Sequence, residues 1–233
     1  MDIYIDSPIG QEPGEISAAE IKRQLSRAAG QPIVVRIHSE GGSVFEGLAI
    51  HDAFKSYAGK KKCIIESCAL SMASAVAMAF DDIEITPNGW LMVHNPSFES
   101  NEDSEHPLLE KLRTRLVDLY ASGTRLAKRT VEAMMQSETF LDSAEALRLG
   151  FVSRIQSGTS PRAVAQYQSM LHRSPKFRAC IVARLGTATT PTTWKDAVRS
   201  QMAKGLSASK AMLVVDKEHP QLRQQFIREA NKR

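Results

Sequence analysis

Gln31-Pro-Ile-Val-Val-Arg-Ile-His-Ser-Glu-Gly-Gly-Ser-Val-Phe-Glu46 decides the fold class of this 233-residue chain. The β-branched run through Ile37 predicts a strand, and Gly41-Gly42 ends it. Ser43 and Glu46 then stand at the spacing of a capping box, so a helix opens and runs to near Gly59. The same alternation repeats outward. Residues 2 to 5 read as a strand, and a second box, Ser17-Ala-Ala-Glu20, opens a helix with Ile21 and Leu25 inward that Gly30 closes. Downstream, residues 62 to 67 predict a strand and Ser71 to Phe80 a buried helix, because that run is nearly all apolar. Strands at 83 to 86 and 90 to 94 follow, separated by the turn signal Pro87-Asn88-Gly89. An acidic loop from Glu99 to Glu105 leads to a long helix from Pro107 to about 128, with Leu108, Leu109, Leu112, Leu116, Leu119 and Tyr120 on its apolar stripe. Asp142-Ser-Ala-Glu145 is a third capping box, opening a helix that ends at Gly150 before a strand from Phe151 to Ile155. Repeated strand and helix units specify an α/β fold with helices packed on sheets.

With 42% hydrophobic and 24% charged residues, the composition excludes a disordered or fibrous chain. No apolar stretch is long enough to span a membrane and no signal peptide opens the chain, so a cytoplasmic location is expected. Cys63, Cys68 and Cys180 give neither a disulfide framework nor metal-ligand spacing, so buried thiols are expected and neither a cofactor nor a metal. Charge divides the chain. Residues 1–156 hold 16 basic against 22 acidic residues, whereas 157–233 hold 14 against 4. Ser-Gly-Thr-Ser-Pro at 157–161 and Pro191 within 187–193 read as linkers. Three parts are therefore expected: a catalytic domain over 1–156, a linker and helical segment over 157–193, and a basic helical module over 194–233 with Trp194, Ala197, Val198 and Met202 on one stripe. The basic module suits docking to an acidic scaffold or capsid surface. Its helix, glycine turn and helix also match a DNA-binding hairpin in outline, but no recognition helix stands out, so nucleic acid is not the expected partner.

Read singly, the polar positions leave alternatives open. Gly41-Gly42 is either an ordinary turn or a place where backbone N–H groups face a ligand closely. Ser71 is either the N-cap of the apolar helix or a nucleophile beside its free N–H groups. Ser74, one turn further on, is either a rival nucleophile or small packing.

Their order along the chain is more specific. Arg36-Ile-His-Ser-Glu-Gly-Gly-Ser-Val-Phe-Glu-Gly-Leu-Ala-Ile50, Glu66-Ser-Cys-Ala-Leu-Ser-Met-Ala-Ser74, Leu91-Met-Val-His-Asn-Pro96 and Glu138-Thr-Phe-Leu-Asp-Ser-Ala-Glu-Ala-Leu-Arg-Leu-Gly-Phe151 follow one another as in the Clp protease proteolytic subunit, ClpP. The chain resembles that family over about 1–156, and most closely the ClpP-related head maturation proteases of bacteriophages. The resemblance implies a ClpP/crotonase-like fold of repeated strand-strand-helix units and a serine endopeptidase activity. It also implies Ser71 as nucleophile, His94 as general base and Glu138 as the orienting acid, with the Gly42 and Met72 N–H groups forming the oxyanion hole. Asp142 is the rival acid, better explained as a helix cap. Polypeptide substrates and homo-oligomeric rings enclosing the sites are implied too, and capsid or scaffold proteins of a phage or prophage head, in the host cytoplasm or prohead, are the expected targets. His38-Ser39-Glu40 departs from the family's Asn-Ser-Pro and loses the rigidity of proline; His38 is expected to bond at the strand end. Met1 falls almost at the first strand, so the axial loop that meets an unfoldase ring is expected to be missing, and with it an ATPase partner. Two other readings compete: a non-catalytic assembly protein of the same fold, and a crotonase-like acyl-CoA enzyme, against which the Ser71-Met72 and His94-Asn95-Pro96 pairings argue.

Overall fold

The computed structural model describes residues 1–97, 106–158 and the single positions 198, 214 and 215. The chain divides into two units, Met1–Ser174 and Pro175–Arg233, and the architecture below belongs to the first. The acidic loop at 99–105 lies outside the described residues. So do the expected linker and basic module, apart from 157, 158 and the helical positions Val198, Val214 and Val215.

Strands β1 (Asp2–Ile5), β2 (Ile33–Ser39) and β3 (Lys61–Leu70) lie side by side and parallel, with Ile3 in register with Val35 and Ile37 with Ile65. The ten-residue β3 serves two further partners in succession. Its Cys63–Ile65 stretch pairs with β4 (Ile83–Ile85), and Cys68–Leu70 pairs with β5 (Trp90–Val93), both parallel. Beyond them β4 pairs with β7 (Arg154–Ile155), and β5 pairs antiparallel with β6 (Thr139–Asp142). Helices α1 (Ala18–Ala28), α2 (Val44–Lys55), α3 (Met72–Ala77), α4 (Pro107–Thr124), α5 (Lys128–Gln136) and α6 (Ser143–Arg148) complete the order. A parallel sheet is covered on both faces, which is why β3 is buried continuously from Cys63 to Leu70 instead of alternating.

Several boundaries shift for physical reasons. Strand β3 runs three residues past the predicted 67 because β5 supplies a ladder to Cys68, Ala69 and Leu70, small residues with little strand preference of their own apart from Leu70. The buried helix begins at Met72 and ends at Ala77, and α4 stops at Thr124, where Arg125 takes a left-handed cap at φ 64°. Helix α1 closes one residue before Gly30, on Ala29 at φ 47°. The Ser43–Glu46 box is only half formed. Ser43 accepts the Glu46 N–H, but the Ser43 N–H donates to the Ile9 carbonyl at 2.8 Å. The Glu46 carboxylate is turned instead to the head of α1, accepting from the Ala18 N–H at 2.7 Å and from Gln11, and these bonds hold its carboxyl below the usual range.

Glu84, on β4, carries the clearest pH dependence. Burial alone pushes its pKa up, but hydrogen bonds from Lys62, Gln156 and Arg154 outweigh that and hold it at about 2. A depressed folded pKa stabilises above the unfolded value near 4.5, and that contribution is lost as pH falls toward 2. Glu84→Gln is therefore expected to lower the thermal midpoint at pH 7 and to flatten its decline between about pH 4.5 and 2, measured by melts across that range. An unchanged acid profile contradicts this.

Candidate active site

Strand β3 ends at Leu70 and α3 begins at Met72, so Ser71 alone makes the corner. It takes φ 52°, ψ −128°, a conformation costing a non-glycine residue on the order of 1–3 kcal/mol. Its side chain makes no cap bond to α3, which removes the N-cap alternative. The hydroxyl lies instead 2.7 Å from Nε2 of His94. Register explains the meeting. Leu70 pairs with Met92, so the two strands leave the sheet side by side, with Ser71 one residue and His94 two residues past that pair. With the ring proton on Nδ1, the Ser71 hydroxyl donates to Nε2, the polarity that activates a hydroxyl for attack. Both side chains are half-buried, within reach of a ligand.

The Gly41-Gly42 turn borders this corner. The Ile9 N–H donates to the Gly41 carbonyl at 2.7 Å and the Ser43 N–H to the Ile9 carbonyl, a pair that leaves the Gly42 N–H out. Glycine is required at 41: φ is 92°, and a Cβ would lie 2.6 Å from the Leu70 carbonyl oxygen and 2.8 Å from the Met72 nitrogen. The strand end is thus packed directly on the Ser71–Met72 corner, with the Gly41 backbone against that of Leu70 and Met72.

Strand pairing separates the two candidate acids. Val93 faces Thr139 in the last pair of the antiparallel ladder, and His94 and Glu138 each follow one residue beyond it. Asp142 faces Trp90, four residues or about 13 Å further along the strand. Its carboxylate accepts the Glu145 N–H at 2.8 Å while the Glu145 carboxylate accepts the Asp142 N–H at 3.1 Å, a complete capping box for α6. Glu138 is half-buried, in a left-handed turn at φ 46°.

The remaining candidates are structural. His38 is buried, its Nδ1 bonded to the Ser67 hydroxyl and 3.6 Å from the Cys68 sulfur, in keeping with a strand-end role. Ser74 is fully buried, and its hydroxyl lies 2.6 Å from the Ser71 carbonyl, 2.9 Å from the Met92 carbonyl and 2.7 Å from the Tyr120 hydroxyl. The apolar stripe of α4 hides that last contact in the sequence. The available signal is that a core-facing tyrosine needs a partner for its hydroxyl, and Ser74 is a hydroxyl inside a buried helix. Cys63 and Cys68 are buried thiols outside any disulfide, and burial pushes the Cys63 thiol up. Among the described residues no group of three or more side chains is placed to hold a metal, and no helix is long and apolar enough to cross a membrane.

A serine delivered on a strained strand-to-helix corner to a histidine just past the end of a neighbouring strand is the layout of the serine-hydrolase class, here on a mostly parallel sheet. The chain belongs to the Clp protease family, whose model matches residues 2–159. Membership makes it a ClpP-type chain of the serine-peptidase kind. It is 30% identical over 160 residues to the ATP-dependent Clp protease proteolytic subunit of Deinococcus radiodurans, covering 66% of this chain and 78% of that one. The corresponding subunit 1 of Chlamydia muridarum is 26% identical over 166 residues, covering 66% and 84%. ClpP1 from Listeria monocytogenes, at 23% identity, superposes with a TM-score of 0.60 over 70% of this chain and 94% of that one, and so shares the fold.

Proposed function

We propose that the chain is a serine endopeptidase working through Ser71, His94 and Glu138. The observation that carries this reading is the 2.7 Å approach of the Ser71 hydroxyl to Nε2 of His94. Ser71 Oγ attacks the peptide carbonyl carbon as its proton passes to His94 Nε2. The resulting oxyanion is met by the N–H groups of Gly42 and Met72. Collapse breaks the C–N bond, His94 returns the proton to the departing amine, and water then hydrolyses the acyl-serine by the same steps. Glu138, one residue beyond the Val93–Thr139 pair as His94 is, orients the imidazole through Nδ1–H in this reading. The substrates in this reading are capsid or scaffold proteins of a phage or prophage head, cut by a homo-oligomeric ring without an ATPase. Support for that finer part is the motif resemblance and the charge asymmetry, 14 basic against 4 acidic residues beyond 156, which suits docking on an acidic assembly surface.

The test is hydrolysis of a fluorogenic peptide and of an unfolded protein with no nucleotide present. Wild type is expected to cut both and Ser71→Ala neither. Equal hydrolysis by the two contradicts the peptidase reading, and protein cleavage that begins only when an ATPase ring is added contradicts the head-processing part.

A further inference from the structure

Behind the reacting pair lies a buried relay of two hydroxyls that the peptidase steps do not use. Tyr120 sits on α4, 2% exposed, its ring centre 6.1 Å from that of Phe151. Its hydroxyl is 2.7 Å from Ser74 Oγ and 3.3 Å from the Ser71 carbonyl. We propose that Ser74 and Tyr120 are positioning residues that hold Ser71 in its strained corner and thereby keep its hydroxyl on His94. This rests on the peptidase reading.

The argument is one of what each peptide group of Ser71 is tied to. Its N–H donates to the Met92 carbonyl at 2.9 Å, and Ser74 Oγ stands at 2.9 Å from that same carbonyl. Its own carbonyl accepts the Ser74 N–H at 3.0 Å and is approached by Ser74 Oγ at 2.6 Å and by the Tyr120 hydroxyl. Each hydroxyl has one proton, so the best-formed chain runs from Tyr120 to Ser74 Oγ and from Ser74 to the Ser71 carbonyl. The relay therefore grips the Ser71–Met72 peptide unit, while the Leu70–Ser71 unit is held by the Ser71 N–H on the Met92 carbonyl, and both must rotate if Ser71 relaxes. It has reason to. Ala29, another positive-φ residue, has ψ 41° and rests in the ordinary left-handed well, whereas Ser71 at ψ −128° lies outside it. Burial pushes the Tyr120 phenol well above its ordinary pKa, so it stays a donor through the working range. A tyrosine merely satisfied in the core needs one partner, and any carbonyl serves. Here the hydroxyls converge on the residue whose orientation decides the chemistry.

Tyr120→Phe, Ser74→Ala and the double variant distinguish holding from filling. The readouts are kcat and KM on a peptide, the rate of Ser71 labelling by a fluorophosphonate across pH, and the thermal midpoint. A misplaced hydroxyl is expected to lower kcat about 5- to 10-fold in Tyr120→Phe and on the order of 10- to 100-fold in Ser74→Ala, with KM little changed. The labelling plateau falls while its pH midpoint stays, since His94 is untouched. The double variant matches Ser74→Ala, because Tyr120 acts through Ser74. Ser74→Thr, which keeps a hydroxyl, recovers part of the rate. Lower thermal midpoints with wild-type kcat and labelling overturn the proposal while leaving the peptidase reading intact. If Ser74→Ala does not fold, the isosteric Tyr120→Phe decides alone, and unchanged kcat there overturns it. Wild type that is never labelled at Ser71 instead sinks the peptidase reading, and this inference with it.

Discussion

His94→Ala is expected to lower peptide hydrolysis by on the order of 10⁴- to 10⁶-fold while leaving the fold intact. The ring stands beyond the end of β5, half-buried, so its removal opens no core cavity. What it removes is the acceptor 2.7 Å from the Ser71 hydroxyl, and a serine hydroxyl without a base is a weak nucleophile. The same assay separates the acids. Glu138→Gln is expected to cost about 10²- to 10⁴-fold, by analogy with loss of an orienting carboxylate. Asp142→Ala is expected to cost about 1 kcal/mol of stability, through the α6 cap, at a wild-type rate. The reverse pattern contradicts the assignment of Glu138.

Gly41→Ala carries the second large effect. The new methyl would meet the Leu70 carbonyl oxygen at 2.6 Å and the Met72 nitrogen at 2.8 Å, and these backbone atoms cannot swing aside as a flexible side chain can. At φ 92° the substituted residue is also strained by about 1–3 kcal/mol. Relief must come from moving β2 away from the Ser71–Met72 corner. A displacement near 1 Å at a reacting centre costs about 10²-fold, so kcat/KM is expected to fall by at least that much, with a lower thermal midpoint. Gly14→Ala is the comparison: it shares positive φ, at 91°, but has nothing within 4 Å, so it tests strain away from the site. Equal activity in both variants contradicts the packing argument.

Local signals made much of this fold legible. The β-branched run before Gly41-Gly42 and the cap residues Ser17, Ser43 and Asp142 act within a few residues of themselves, so β2, α1, α2 and α6 could be read directly. Less visible was whatever depended on a distant partner. Strand β6 pairs with β5 at positions 46 to 52 residues apart, and its Thr139–Asp142 run is too short to announce itself. Glu46 stands at capping-box spacing from Ser43, yet the fold turns it to Ala18, because α1 and α2 meet there. In the candidate site, Ser71 and His94 could be singled out by motif, but the positive-φ corner that faces one toward the other could not. Tyr120 was readable only as a core residue, since its partner Ser74 is forty-six positions away.

The reactivity of Ser71 itself tests the account most directly. Wild type is to be treated with a fluorophosphonate and the adduct mapped by mass spectrometry of the digested chain, beside Ser71→Ala and His94→Ala. The account predicts one adduct, on the peptide containing Ser71, absent in Ser71→Ala and strongly slowed in His94→Ala. An adduct on another serine, equal labelling of all three proteins, or an unlabelled wild-type assembly would contradict it.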